Sequence, residues 1–417
     1  MGEYLVGLDI GSSKVCAAVG KLDVYGQVQI IGITSVKCNG LRKSIVVDID
    51  NTASSIRECI DQLNRMIDID IKDVYISLPS EISELIYNKG VIAISSDDRE
   101  ITKNDVNRAL EAAKLINISS DKEIVGVVPM QYIVDGYESI KDPIGMSALK
   151  LEVEAQVIVT KTTIINNLLK SLNKANLNVL GMVLQPLAMC GIVLSKDQLE
   201  MGSVLLDIGS ETSDVSIFKN NNLIESTVVP LGGNNITNDI SLCLKMPYSE
   251  AERIKLKYSD LDTEDFENGM EKLNVHFQDG SIQELDFIML NKIIKARVEE
   301  ILCFVKKRLI ETDKYDEINE IVLVGGGISL IKGVEKSSRV VLGKPTKIGI
   351  PDFIGANNPT YATVVGIIND VAYSLKDKSS FYREEIEESK KSKKNKKDEN
   401  NNKGFLSKIH EFLTDFF

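Results

Sequence analysis

Tryptophan is absent, only two histidines occur (His276 and His410), and the six cysteines are scattered without a single CxxC pair. Neither histidine lies near a cysteine or glutamate at ligand spacing, which removes zinc chemistry and a Ser-His-Asp triad from consideration. Cys16, Cys38, Cys59, Cys190, Cys243 and Cys303 read as free thiols of a reducing compartment, not as a disulfide framework. Positive charge is also short, with a formal net charge of -12, so no broad basic surface is available for nucleic-acid phosphates. No run of about 18 apolar residues occurs, which excludes a helix spanning a bilayer. The start of the chain lacks the basic, apolar and small-residue succession of an export signal, and Val6 stands where N-myristoylation after Gly2 wants Ser or Thr.

What the 417 residues do contain is a repeated device. The apolar run Tyr4–Ile10 stops at Gly11-Ser12-Ser13 and a second strand-like run follows from Lys14 to Val19. Two hundred positions on, Ser203–Ile208 stops at Gly209-Ser210-Glu211-Thr212 and a run from Asp214 to Phe218 follows. Such self-similarity predicts an internal duplication, two related lobes gripping one ligand from both sides. Length supports it, because 417 residues exceed a single ordinary core.

Between and after the copies the pattern alternates. A helix is predicted from Thr52 to Met66, a strand from Val74 to Leu78, and then a compact polar segment to about Leu151. Within that segment Thr102 and Asp105 form a capping pair ahead of Val106, Ala109, Leu110, Ala113 and Leu115. Glu154–Thr160 reads as a strand, Pro247 opens a helix, Asp286–Glu311 is a long amphipathic helix, Glu320–Val324 a strand and Tyr361–Tyr373 a closing helix. Residues 377–403 are charged and nearly free of large apolar side chains, the composition of a disordered tether. Beyond them Phe405, Leu406, Ile409, Phe412, Leu413, Phe416 and Phe417 recur at helical spacing over 404–417, after a lysine-rich run from Lys390 to Lys397. A helix there, about 20 Å long, is able to lie in an anionic membrane interface but not to cross it.

Two opposed small-residue turns present backbone N–H groups, which is how a triphosphate is held with few cations. Gly11, Ser12, Ser13 and the neighbouring Lys14 are expected to cover the phosphates from one side; Gly209, Ser210, Glu211 and Thr212 cover them from the other. Asp9 and Asp207 then face a divalent ion, Mg²⁺, through its water shell. Gly232-Gly233-Asn234 and Gly325-Gly326-Gly327-Ile328 each follow a strand and permit close approach of a sugar or ring to backbone. Glu252 and Lys255 share one helix face, where they suit sugar hydroxyls and a base edge.

These residues carry a family resemblance. The two Asp-Ile-Gly-Ser turns, Gly325-Gly326-Gly327, Gln185-Pro186-Leu187-Ala188 and Pro359-Thr360-Tyr361-Ala362-Thr363 resemble the five-motif signature of actin-like ATPases. The segment Gln131-Tyr132-Ile133-Val134-Asp135-Gly136, Ile140–Met146 and Leu151-Glu152-Val153-Glu154 is similar to the small domain inserted in the FtsA family of bacterial division proteins. The resemblance implies an α/β, actin-like (ribonuclease H-like) two-lobed ATPase fold with a small inserted α+β domain. Residues 1–80 and 161–200 would form the first lobe, 81–160 the insert and 201–376 the second lobe. It further implies ATP and Mg²⁺ as cofactors, self-assembly into protofilaments, and tethering of the tubulin-like protein FtsZ to the inner face of the cell membrane at the division septum. Later division proteins are implied partners, and Arg297 matches a basic position that the family turns toward the acidic FtsZ C-terminal peptide.

Two departures bear on turnover. Ser210-Glu211 replaces the family's glycine pair and sets a carboxylate beside the phosphates. Gln185 occupies the water-positioning place, where a neutral amide orients water but is a poor base, so slow hydrolysis or none is expected. A pilus-assembly relative is expected to lack the terminal helix, a sugar kinase needs a further acidic base beside the phosphate, and an Hsp70-type chaperone needs a large peptide-binding domain after the second lobe.

Overall fold

A computed structural model describes residues 4–23, 26–262, 272–276 and 282–375. The expected tether 377–403 and the apolar set from Phe405 to Phe417 lie outside the described residues. The chain divides into two compact units, residues 1–188 with 366–417, and residues 189–365.

The first unit opens with β1 (Tyr4–Ile10), β2 (Lys14–Leu22) and β3 (Val28–Lys37), followed by a short hairpin of β4 (Leu41–Arg42) and β5 (Ile45–Val46). Helix α1 (Ile49–Ile67) and β6 (Asp73–Leu78) follow. The inserted domain comprises β7 (Ser83–Ala93), α2 (Lys103–Ala113), β8 (Lys122–Val134), β9 (Tyr137–Ile140) and β10 (Lys150–Lys161). The chain then returns through α3 (Thr162–Lys174) and β11 (Asn178–Leu184) to α4 (Gln185–Val193), which crosses from the first unit into the second.

The second unit continues with α5 (Lys196–Met201), β12 (Ser203–Ile208), β13 (Ser213–Lys219), β14 (Asn222–Val229), α6 (Gly233–Cys243) and α7 (Tyr248–Tyr258). It closes with the hairpin β15 (Lys272–His276) and β16 (Ile282–Asp286), then α8 (Phe287–Glu311), β17 (Glu320–Val324), α9 (Val334–Leu342) and β18 (Thr346–Ile348).

The predicted duplication is present in the sheets. The first unit orders its strands β11-β6-β1-β2-β3 and the second β18-β17-β12-β13-β14. In each, two antiparallel strands run on from one that pairs in parallel with a later strand: β1 with β6, β12 with β17. Parallel pairing buries a strand on both faces, which is why the successive residues Leu205 and Leu206, and Val322 and Leu323, are all buried.

The insert has its own core, built from Val153, Ala155, Val157 and Val159 of β10 against Val106, Ala109 and Leu110 of α2. The alternation along β10 is the strand period that puts every second side chain on one face. Thr102 and Asp105 form the expected capping box, with the Asp105 N–H donating to Thr102 Oγ1 at 3.3 Å and the Thr102 N–H to Asp105 Oδ2 at 3.0 Å. Leu115 departs from expectation. Helix α2 ends at Ala113, a tight turn carries the Ile116 N–H to the Lys114 carbonyl at 2.8 Å, and Leu115 is left 83% exposed while Ile116 and Ile118 pack on the core instead.

On the other face of this sheet Glu154 accepts from Gln131 Nε2 at 2.7 Å and pairs with Lys89 at 2.6 Å. The Gln131 amide, with Lys89 and Tyr87, pulls its pKa down to about 2 from 4.5. A depressed carboxylate contributes stability that is complete above the unfolded value and is lost as pH falls through the folded one. Amide exchange in β10 should therefore quicken between about pH 4.5 and about pH 2, and Glu154→Gln should flatten that dependence. An unchanged acid profile in the variant would refute the assignment.

The chain passes between the two units at 188/189 and at 365/366. The helix over 362–375 supplies the reason for the second: a Cβ on Gly20 of β2 would stand 2.3 Å from Ile368, so this helix seats directly on a first-unit strand. All six cysteines are free thiols, with Cys16, Cys38 and Cys59 buried. Among the described residues no helix is long and apolar enough to cross a membrane.

Candidate functional site

Each unit carries one of the two predicted turns. In the first, the Gly11 N–H donates to the Lys14 carbonyl at 2.9 Å, closing the β1–β2 turn around Ser12 and Ser13. In the second, the Gly209 N–H donates to the Thr212 carbonyl at 2.9 Å, closing the β12–β13 turn around Ser210 and Glu211. The sequence repeat is thus a repeat of hydrogen bonding.

Asp9 lies next to the end of β1, opposite Cys16. Its Oδ1 accepts from the Ser77 hydroxyl at 2.7 Å and from Gln185 Nε2 at 3.0 Å. Burial raises its pKa; the Ser77 hydrogen bond, the Lys14 charge and the Gln185 amide work in the opposite direction. The expected water-positioning residue is therefore held by its amide against the expected metal-facing carboxylate. Ser77, at the C-terminal end of β6, was not anticipated, although strand ends beside a glycine turn are where such a donor belongs. A desolvated carboxylate flanked by neutral donors suits a divalent cation met through water. Among the described residues no group of three or more His, Cys, Asp or Glu side chains could cage a metal.

In the second unit the glycines interlock around the turn. The Gly233 N–H donates to the Gly209 carbonyl at 2.9 Å, the Asn234 N–H to the Ser210 carbonyl at 2.7 Å, and the Gly327 N–H to the Ile208 carbonyl at 2.7 Å. A Cβ on Gly325, whose φ is +83°, would stand 2.1 Å from Asp207 Oδ1 and 2.6 Å from the Ile208 carbonyl. One on Gly327 would stand 2.4 Å from the Gly209 carbonyl. Gly326 meets only Thr360, at 3.4 Å, and Ile328 is fully buried. Gly232, Gly233, Gly325 and Gly327 therefore serve close backbone packing around Asp207 and Gly209.

Glu252 and Lys255 of α7 do meet, at 2.8 Å. Lys255 is buried, however, and its ammonium also donates to the Gly233 carbonyl at 3.1 Å and to Thr237 Oγ1 at 2.8 Å. Burial lowers its pKa, and Glu252 partly offsets this. Thr237, which also hydrogen-bonds Glu252, is the member of this cluster that spacing alone did not show.

Arg297 stands on α8. Its Nε and Nη2 donate to Asp239 of α6 at 2.6 and 3.1 Å, and Nη1 pairs with Glu300. The Asp239 hydrogen bonds, foremost, raise its pKa. An acidic peptide arriving here meets an arginine already paired.

The chain matches two family models: "Cell division protein FtsA" over residues 204–366, and "SHS2 domain inserted in FTSA" over residues 82–159. The cell division protein FtsA of Bacillus subtilis (strain 168) is 37% identical over 372 residues, 88% of this chain and 83% of that protein. Among solved structures, the PilM-PilN type IV pilus biogenesis complex aligns with a TM-score of 0.61 at 16% identity, over 87% of this chain and 97% of that one. MreB5 of Spiroplasma citri bound to ADP aligns at 0.50 and 12%, over 94% and 99%. The structural likenesses give the fold, an actin-like α/β architecture; the sequence likeness goes further. The family models take in the second glycine turn and the inserted sheet, the Bacillus relative spans most of the chain, and on that ground the chain belongs to the FtsA family of cell-division proteins.

Proposed function

We propose that this cell-division protein binds ATP with Mg²⁺ through its two glycine turns, assembles into protofilaments, and fastens FtsZ polymers to the cytoplasmic face of the cell membrane at the division septum. The observation that carries the nucleotide reading is the identical closure of the two turns, Gly11 to Lys14 and Gly209 to Thr212, each beside a strand-end aspartate. Backbone N–H groups in such turns suit phosphate oxygens, and Mg²⁺ supplies charge neutralisation that the chain's acidic balance does not. Asp9 and Asp207 would hold the ion through water. Gln185 would orient a water near Asp9 without the basicity to drive fast hydrolysis. The membrane reading rests on sequence: a short aromatic-rich apolar stripe after a lysine-rich run. Assembly would multiply a weak single anchor through effective concentration.

Calorimetric titration of the full chain with ATP, with and without Mg²⁺, tests the nucleotide reading. One site per chain that weakens when Mg²⁺ is withdrawn is expected; absence of any binding heat or displacement of a fluorescent adenine nucleotide would end it.

A further inference from the structure

The hairpin β4–β5 is a short element held with unusual firmness. Leu41 and Val46 pair across it and are buried at 1% and 7% exposure. At its base the Gly40 carbonyl accepts both the Val47 and Asp48 N–H groups, at 2.9 and 3.1 Å. Asp48 in turn caps α1, and the buried Thr52 hydroxyl donates to the Asp48 carbonyl at 2.7 Å. No side chain fits at Gly40, where a Cβ would stand 2.2 Å from Thr52 Oγ1.

The tip is the unusual part. A two-residue hairpin loop of type I′ demands positive φ at both positions, and such loops favour Asn-Gly. Here the loop is Lys43-Ser44, at φ 44° and 56°. Neither residue is at ease in that region, and strain of this kind is retained where the surroundings fix it and a function uses it.

The surroundings that fix it are the first glycine turn. The Ser44 N–H donates to Ser12 Oγ at 3.1 Å, and the Cys38 N–H, just before the hairpin, donates to the Ser13 carbonyl at 2.9 Å. The strained tip is thus hydrogen-bonded to the hydroxyl at the centre of the Gly11–Lys14 turn. It sets the exposed Lys43 one residue, about 3.8 Å of backbone, from that contact. A lysine's four-carbon stem covers the remaining distance to a group lying on the turn.

We propose that this hairpin is a third phosphate-binding element, in which Lys43 supplies a point charge to the terminal phosphate of a nucleoside triphosphate seated on the Gly11–Lys14 turn. The inference rests on the nucleotide reading above. Because the charge sits at the terminal phosphate, its effect falls on triphosphate more than on diphosphate.

Lys43→Asn tests this, since asparagine tolerates positive φ and preserves the turn while removing the cation. The full chain and the variant are titrated with Mg-ATP and Mg-ADP, and Lys43→Arg is carried alongside. Lys43→Asn should weaken ATP about tenfold and ADP less than about twofold, while Lys43→Arg stays within about threefold of the parent for both. Equal weakening of ATP and ADP, or no change in either, overturns the proposal while leaving ATP binding intact. An unmodified chain that binds no ATP overturns the proposal together with the reading beneath it.

Discussion

A chain carrying Gly325→Ala should lose nucleotide binding altogether, and its second unit should unfold several degrees earlier than the parent's. The new methyl carbon has nowhere to go: it would stand 2.1 Å from Asp207 Oδ1 and 2.6 Å from the Ile208 carbonyl, both anchored in β12. Alanine is also strained at the φ of +83° that Gly325 adopts. Overpacking at a site with no flexible neighbour typically costs about 1–3 kcal/mol, and a positive φ for a non-glycine residue adds about 1–2 kcal/mol. Relief requires β17 to move away from β12, which displaces Asp207 and with it the Gly209–Thr212 turn. Gly326→Ala is the matched control, because its Cβ meets only Thr360 at 3.4 Å. Thermal unfolding and ATP titration of the two variants decide the matter; equal tolerance at both positions would mean that the interlocked glycines are not what shapes the site.

The second large effect is expected at the other end of the chain. A version ending at Lys403, stripped of Phe405, Leu406, Ile409, Phe412, Leu413, Phe416 and Phe417, should fail to sediment with vesicles containing anionic lipid under conditions where the full chain pellets. Each large apolar side chain buried contributes about 1.5–3 kcal/mol, so loss of seven leaves nothing that the remaining lysines could replace at physiological salt. The full chain should pellet better with ATP than without it if assembly gathers many anchors on one surface. Equal pelleting of both versions would move the membrane contact elsewhere in the molecule.

How much of this could be read before the fold was seen depends on where the physical signal lies. The paired strand-turn-strand runs were plain because buried strands flanking a glycine turn leave a local mark, and both appear as β1–β2 and β12–β13. The capping box at Thr102 was equally local. Ser77 and Thr237 were not visible, because each joins its cluster across distant sequence, Ser77 lying 68 residues from Asp9. The identity of Lys255 as a buried donor was likewise hidden: its spacing from Glu252 marks a shared helix face but not which way that face looks. Leu115 shows the opposite failure, an apolar residue two positions too late, stranded when the helix stopped at Ala113. The seating of helix 362–375 on Gly20 is likewise a tertiary fact that no local pattern marks.

Lys255 has three protons, and the Gly233 carbonyl, the Thr237 oxygen and the Glu252 carboxylate take one each. With every donor committed inward, the ammonium behaves as a strut beneath the Gly232-Gly233 turn and has no charge to lend outward. What this corner offers a visiting molecule is the outer edge of Glu252, an acceptor. Groups that donate protons, such as sugar hydroxyls or an exocyclic amine, would find a partner here, and anything anionic would be turned toward backbone amides instead.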